Sequence, residues 1–275
     1  MRGARLVLGC ALVALSCGRS GGKPIASETK PSAAASTPSP DAGTANTREV
    51  PHGIVLPKLS RGSRLHEGGL PVYISLTSVH VGREQKRIAD LDSNAPGEGY
   101  ASRYKGGVPN DLLVRPLYEE LRSRNEPKQT ELLLFADQQS PYRVFVETLY
   151  TVGQSGYQRV SIVGRGSQGN ELVGLETKPL SLDGAPIMVL IVKRGYLLRI
   201  NGQLIGAECG GGSTEGTGDA LYPSALDPCL RRLLPSVAEP HVGILGDPPQ
   251  PLANALSAAE TVLATGATYG FHGPK

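Results

Sequence analysis

The sequence predicts an α+β protein built from two tandem small sheet domains, each running β-β-α-β-α-β with its helices packed on one face. Three observations predict it. Leu132 to Gly164 reads as strand, turn, helix, glycine stop and strand. The same plan returns over His241 to Gly273 at a constant offset without a gap, so that Asp137 matches Asp247, Pro141 matches Pro251, Thr151 matches Thr261 and Gly156 matches Gly266. A β-rich stretch and a short helical stretch precede each unit. An internal repeat of this kind sets the architecture before any motif is read.

Met1 to Ser16 carries Arg2 and Arg5, then an apolar core from Leu6 to Leu15, then small residues. That is the pattern of a secretory leader, and about ten apolar residues fall short of the ~20 that a spanning helix needs. Ala14-Leu15-Ser16-Cys17 resembles the lipobox of bacterial lipoproteins, which usually begins with Leu. By that resemblance Cys17 becomes the lipidated N-terminus; the alternative is an ordinary cleaved leader with a chance Cys. Gly18-Arg19 contains no Asp, which favours the outer over the inner membrane. Residues 17–50 are rich in Pro, Ala, Ser and Thr and show no apolar periodicity. They bury too little surface to offset ordering entropy and read as a tether with a reach on the order of 100 Å.

The first domain is expected over 51–169. Ile54-Val55-Leu56-Pro57-Lys58 follows the tether, and Leu70 to Val81 is rich in β-branched residues, a strand or strand pair. Glu84 to Asn110 reads as a polar insertion and Leu112 to Arg122 as a helix. Leu132 to Phe135 is a buried-strand run. Ser140 offers a capping hydroxyl and Pro141 a ring suited to the first helical turn, with Val144, Phe145, Leu149 and Val152 at helical spacing. Gly156 then ends the helix in the left-handed conformation. The second domain is expected over 170–275: a hairpin over Ile187 to Ile200, a Gly-rich loop with Cys209, a short helix capped by Asp227 with Pro228 in its first turn, and the repeated unit ending in a strand at Thr268 to His272.

The chain of 275 residues is 39% hydrophobic and 19% charged, enough for real cores. Trp is absent and Phe numbers 3, so those cores are mostly aliphatic. Formal net charge is +3, or +1 without the two leader arginines, which gives no electrostatic case for nucleic acid. Of the 4 Cys, Cys10 and Cys17 lie in the leader, and an exported chain would pair Cys209 with Cys229.

Sharper motifs lack their context. Gly164-Arg165-Gly166-Ser167-Gln168-Gly169 matches G-x-G-x-x-G, but 170–182 contains Gly174 and Pro179 and no helical stripe for a dinucleotide phosphate, so an inter-copy loop is the better reading. Gly18 to Gly22 matches G-x-S-x-G inside the tether, and Ser102 to Lys105 matches S-x-x-K inside the insertion. The 5 His have no ligand spacing, so neither a metal nor a cofactor is expected, and no cluster of acid and base groups suggests an enzyme. Asp137 and Asp247 read as turn residues whose carboxylates accept backbone N–H bonds.

Taken in order, these segments resemble the periplasmic domain of the ExbD/TolR family of biopolymer-transport proteins. Ile54 to Lys58, with Leu56 and Pro57, is similar to its membrane-proximal V-x-L-P-x segment, and Pro71 to Val81 to its first hairpin. Leu134-Phe135-Ala136-Asp137 followed by Pro141-Tyr142-Arg143-Val144-Phe145 is similar to its strand, A-D, P-Y, helix signature. Gly156 to Ser161 is similar to its helix stop and last strand. The resemblance covers 51–164 well and 186–273 more loosely: Asp247, Pro251 and Gly266 persist while Leu252 replaces the Tyr.

Family members have a transmembrane helix with an ionisable Asp, the centre of proton-driven transduction; the leader here is short and carries no acidic residue. The resemblance therefore implies the recognition half of such a machine. The expectation is a non-enzymatic periplasmic lipoprotein that does not itself conduct protons. Its expected partners are an ExbB/TolQ-like motor component, other envelope proteins or peptidoglycan. The family's domains commonly dimerise, so the two copies are candidates for pairing within the chain. A cell-wall-binding lipoprotein without a motor is the alternative.

Overall fold

A computed structural model describes residues 50–273 apart from 67, 94, 96, 109–110, 126–130, 170, 181–184, 194, 206–208, 210–222 and 238–239. The expected leader, Cys17 and nearly all of the tether lie outside the described residues. In chain order the strands and helices are β1 (Ser63–Arg64), β2 (Leu70–Ile74), β3 (Ser78–Val81), β4 (Lys86–Asp90), α1 (Arg115–Arg124), β5 (Glu131–Ala136), α2 (Tyr142–Gln154), β6 (Arg159–Arg165), β7 (Leu172–Thr177), β8 (Ile187–Val192), β9 (Gly195–Ile200), β10 (Gln203–Ile205), α3 (Pro223–Leu233), β11 (His241–Gly246), α4 (Leu252–Ala264) and β12 (Thr268–Phe271).

Two mixed sheets result, one of 7 strands ordered β1-β7-β6-β5-β2-β3-β4 and one of 5 ordered β10-β9-β8-β11-β12. The run β4-β3-β2-β5-β6 repeats as β10-β9-β8-β11-β12, with the same parallel and antiparallel senses. The register repeats too: Leu70 stands opposite Leu132, and Ile187 stands opposite Val242, the residue that matches Leu132 in the repeat. The fold is thus α+β with the unit written twice, and Arg48–Lys275 holds both sheets in one unit.

Local sequence explains these elements. β5 is buried at every position, which its run Leu132-Leu133-Leu134-Phe135-Ala136 permits. β8 alternates buried and half-buried residues, the mark of a sheet with one covered face. Helix α2 buries residues around most of its circumference because it lies between its own sheet and the second copy. Its buried Thr148 and Thr151 hydroxyls bond back to the Val144 and Glu147 carbonyls at 2.9 and 2.7 Å. Gly156 and Gly266 end α2 and α4 at φ 92° and 83°, where a Cβ would be strained.

Several expectations are corrected. Each copy has one more antiparallel strand before its first helix than expected, because the polar insertion supplies β4 and the residues after Asn201-Gly202 supply β10, and the first copy adds the two-residue edge strand β1. The strand β7 pairs antiparallel with β6, so the boundary between the sheets falls after Thr177 and not at 170. The G-x-G-x-x-G run forms the β6–β7 hairpin, with the Gly169 N–H bonded to the Gly166 carbonyl at 2.8 Å. Helix α3 starts at Pro223 and contains Pro228; Asp227 lies inside it and pairs with Arg231 at 3.0 Å. Ser140 does not cap α2: its hydroxyl is buried without a partner among the described residues, and Pro141 holds the cap position.

Cys209 and Cys229 are joined by a disulfide across 20 residues. Closing a loop of that size restricts the unfolded chain by about 3 kcal/mol. Reduction, or Cys229→Ser, is expected to lower stability by about that much, read as a lower denaturant midpoint.

Candidate functional site

The helices cover one face of the first sheet, and the segment that starts at Val50 straps the other through Leu56. Leu59 then joins the helix-side core, and the Arg61 N–H reaches Glu260 on α4 at 2.9 Å. On the strapped face Leu56 packs with Tyr73, Leu133, Phe135 and Val163, flanked by Val50, Ile54, Leu65 and Leu172. Two backbone contacts fix its course: the Arg165 N–H bonds the Pro57 carbonyl and the Leu59 N–H bonds the Arg165 carbonyl, each at 2.8 Å. Asp137, at the end of β5, holds the strap. Its Oδ2 accepts the Val55 N–H at 2.7 Å and its Oδ1 accepts the Gln139 N–H at 2.8 Å, while the Gln138 N–H bonds the Val55 carbonyl at 2.8 Å. The carboxylate is buried, so each of these donors compensates for lost water. Asp137→Asn is expected to cost about 1–3 kcal/mol and to speed hydrogen exchange at the Val55 amide. An unchanged melting temperature and exchange rate would contradict that role.

The remaining motif residues meet where the two copies touch. A helix leaves its first N–H groups without intrahelical partners, and α2 and α4 each find acceptors in the other copy's turn. The Tyr142 N–H bonds the Gln250 carbonyl at 2.6 Å, and the Leu252 N–H bonds the Ser140 carbonyl at 2.8 Å. The Arg143 N–H bonds the Pro248 carbonyl at 3.1 Å, and the Ala253 N–H bonds the Gln138 carbonyl at 3.0 Å. Exchanging each residue of a bond for its match in the other copy generates the companion bond, so these four form a local pseudo-twofold around the Pro141–Pro251 bridge.

Tyr142 breaks the symmetry. Its ring lies over Gly246, where a Cβ would come within 2.7 Å of it, and its hydroxyl donates to the Ile244 and His272 carbonyls at 2.8 and 2.9 Å. Burial pushes its phenol far above the ordinary value, only partly offset by backbone hydrogen bonds, so the proton stays with the donor. Phe145 and Phe271 meet edge to face at 4.9 Å across the same junction. Gly156 and Gly266 sit at the far ends of the two helices, about 20 Å away along the axes. Leu56, Pro57, Asp137, Pro141, Tyr142, Asp247 and Pro251 gather around the turns at the start of the helices. Asp247 is exposed, and position 249 is Pro, which has no N–H to give it; the turn contact made by Asp137 is not repeated there.

Sequence reasoning missed Glu147. It is fully buried on α2, where Oε1 accepts Lys105 Nζ at 2.7 Å and Arg143 Nε at 2.5 Å, and Oε2 accepts the Tyr100 N–H at 2.9 Å. This ion triad pins the insertion to the helix. Arg143, one turn before Glu147 on α2, was a readable signal; Lys105, 42 residues upstream, was not. Surface hollows among the described residues of the first copy include the following two. One of about 460 Å³ includes Thr77, Arg87, Asp90, Asp92, Ser102 and Arg103, with Asp90 bonded to both arginines. The other, about 330 Å³, lies beside the start of the strap and includes His52, Ile54, Tyr73, Ser78 and His80. There His80 Nδ1 faces the Gln85 carbonyl at 2.9 Å, so it carries the hydrogen, and Nε2 accepts from the buried Ser78 hydroxyl at 2.9 Å. Ser75 bonds into this chain and closes the β2–β3 turn. No family model, curated protein or solved structure matches the chain.

Proposed function

We propose that the protein is a non-enzymatic periplasmic lipoprotein, anchored through Cys17 to the outer membrane. It serves as an accessory or interaction component of an ExbD/TolR-type transport system without itself conducting protons. One observation carries this reading: the segments on which the resemblance rests lie far apart in sequence yet meet, with the Val55 N–H on the Asp137 carboxylate. The paired junction of the two copies supports it, since it makes one chain the equivalent of a dimer of the family's domains. Affinity purification from envelopes after crosslinking tests the reading. Recovery of an ExbB/TolQ-like membrane protein is expected, and Cys17→Ser should release the chain from the membrane fraction. Recovery of the chain with cell-wall sacculi and no membrane partner would sink the motor assignment.

That outcome would favour a second reading, a peptidoglycan-binding lipoprotein. The larger hollow supports it, because Arg87 and Arg103 beside Asp90 suit a ligand with both carboxylate and ammonium groups, as cell-wall peptides have.

A further inference from the structure

The two sheets present the same outer positions under different cover. Strand register equates Pro71 with Met188, Tyr73 with Leu190, His80 with Leu197, and Phe135 with Leu245. In the first sheet Tyr73 and Phe135 are 6% and 0% exposed beneath the strap. In the second, Met188, Leu190, Leu197 and Leu245 are half-buried, and Asp247, the counterpart of strap-bound Asp137, is exposed. Among the described residues, no backbone N–H bonds the Asp247 carboxylate, and prolines at 248 and 249 remove the two nearest candidates.

We propose that this face of the second sheet, with Asp247 at its corner, docks an extended, proline-containing aliphatic segment of a partner protein, of the chemistry of Ile54–Lys58. The first copy displays the occupant this kind of surface takes. Complementarity names it again: an exposed carboxylate at the rim of an aliphatic face calls for a backbone N–H beside aliphatic side chains, which an extended segment supplies together. The face is also continuous with the junction of the copies, because Asp247 opens the turn whose Pro248 and Gln250 carbonyls hold α2. Pro248 stands where Gln138 donates to Val55, so a docked segment has one backbone bond fewer than the strap and exchanges more readily. The proposal rests on the duplication and not on the envelope assignment.

The test titrates the full chain with a labelled synthetic peptide of the sequence Val50–Leu65. Saturable binding is expected, weakened about tenfold or more, equivalent to at least ~1.4 kcal/mol, by Leu190→Asp and by Asp247→Asn. Leu204→Asp, on exposed β10, should leave it unchanged. Circular dichroism confirms that each variant is folded; Asp247 is exposed, so Asp247→Asn keeps the test decisive if Leu190→Asp unfolds. Absence of saturable binding, equal binding of a scrambled peptide, or binding indifferent to Asp247→Asn overturns the proposal.

Discussion

Glu147→Leu is expected to destabilise the protein by about 3–5 kcal/mol, the range seen when one member of a buried ion pair is removed. The cost comes less from losing attraction than from stranding Lys105 and Arg143, whose side chains are only 13% and 11% exposed. Tyr100 would also lose the acceptor for its backbone N–H. Lys105 and Tyr100 both belong to the insertion, so the damage should begin there. The denaturant midpoint should fall, and hydrogen exchange should rise first around residues 97–105. Adding Lys105→Met should recover part of the loss, because it removes one of the two uncompensated charges. A double variant no better than Glu147→Leu alone would show that Lys105 is not coupled to Glu147.

Tyr142→Ala should cost a similar ~3–5 kcal/mol, the usual toll for truncating a fully buried aromatic ring. Here the loss is concentrated at the contact between the copies. Its hydroxyl satisfies two carbonyls of the second copy, and its ring fills the space that Gly246 leaves open. Tyr142→Phe should cost less, about 1–3 kcal/mol, through the carbonyls left without that donor. Because the side chain joins the halves, Tyr142→Ala should also speed hydrogen exchange at the Leu252 and Ala253 amides, which bond carbonyls of the first copy. Exchange there at the parental rate would show that Tyr142 serves its own core and not the joining of the halves.

Features imposed by the local backbone were the ones legible in the sequence. Gly156 and Gly266 are required by a left-handed helix stop, Pro141 and Pro251 stand at the entry to a first turn, and β5 reads as apolar because both its faces are covered. The repeat was visible because these demands fall twice at one spacing. Features set by distant partners were hidden. β4 is an edge strand, Lys86-Arg87-Ile88-Ala89-Asp90, whose exposed positions carry charge, so its composition resembles that of a loop. The strand β7 was obscured by Gly174, which sits in a sheet because a Cβ there would press within 2.8 Å of the Leu65 side chain. Asp227-Pro228 carries a strong helix-start signal, overridden by a turn of helix that precedes it. Ser140 looks like a cap from its neighbours alone, yet the Pro248 and Gln250 carbonyls, far downstream in the second copy, take the N–H groups it would have served.

The four backbone bonds around Pro141 and Pro251 also settle how the pairing responds to dilution. Both halves belong to one polypeptide, so their encounter is first order and the connecting residues set a high local concentration. Conditions that would dissociate two separate subunits leave this arrangement whole. Stoichiometry is fixed as well: every molecule carries one copy of each sheet, and among the described residues only the first has Leu56 packed over its Tyr73 and Phe135, giving the molecule a head and a tail that an assembly of identical subunits would lack.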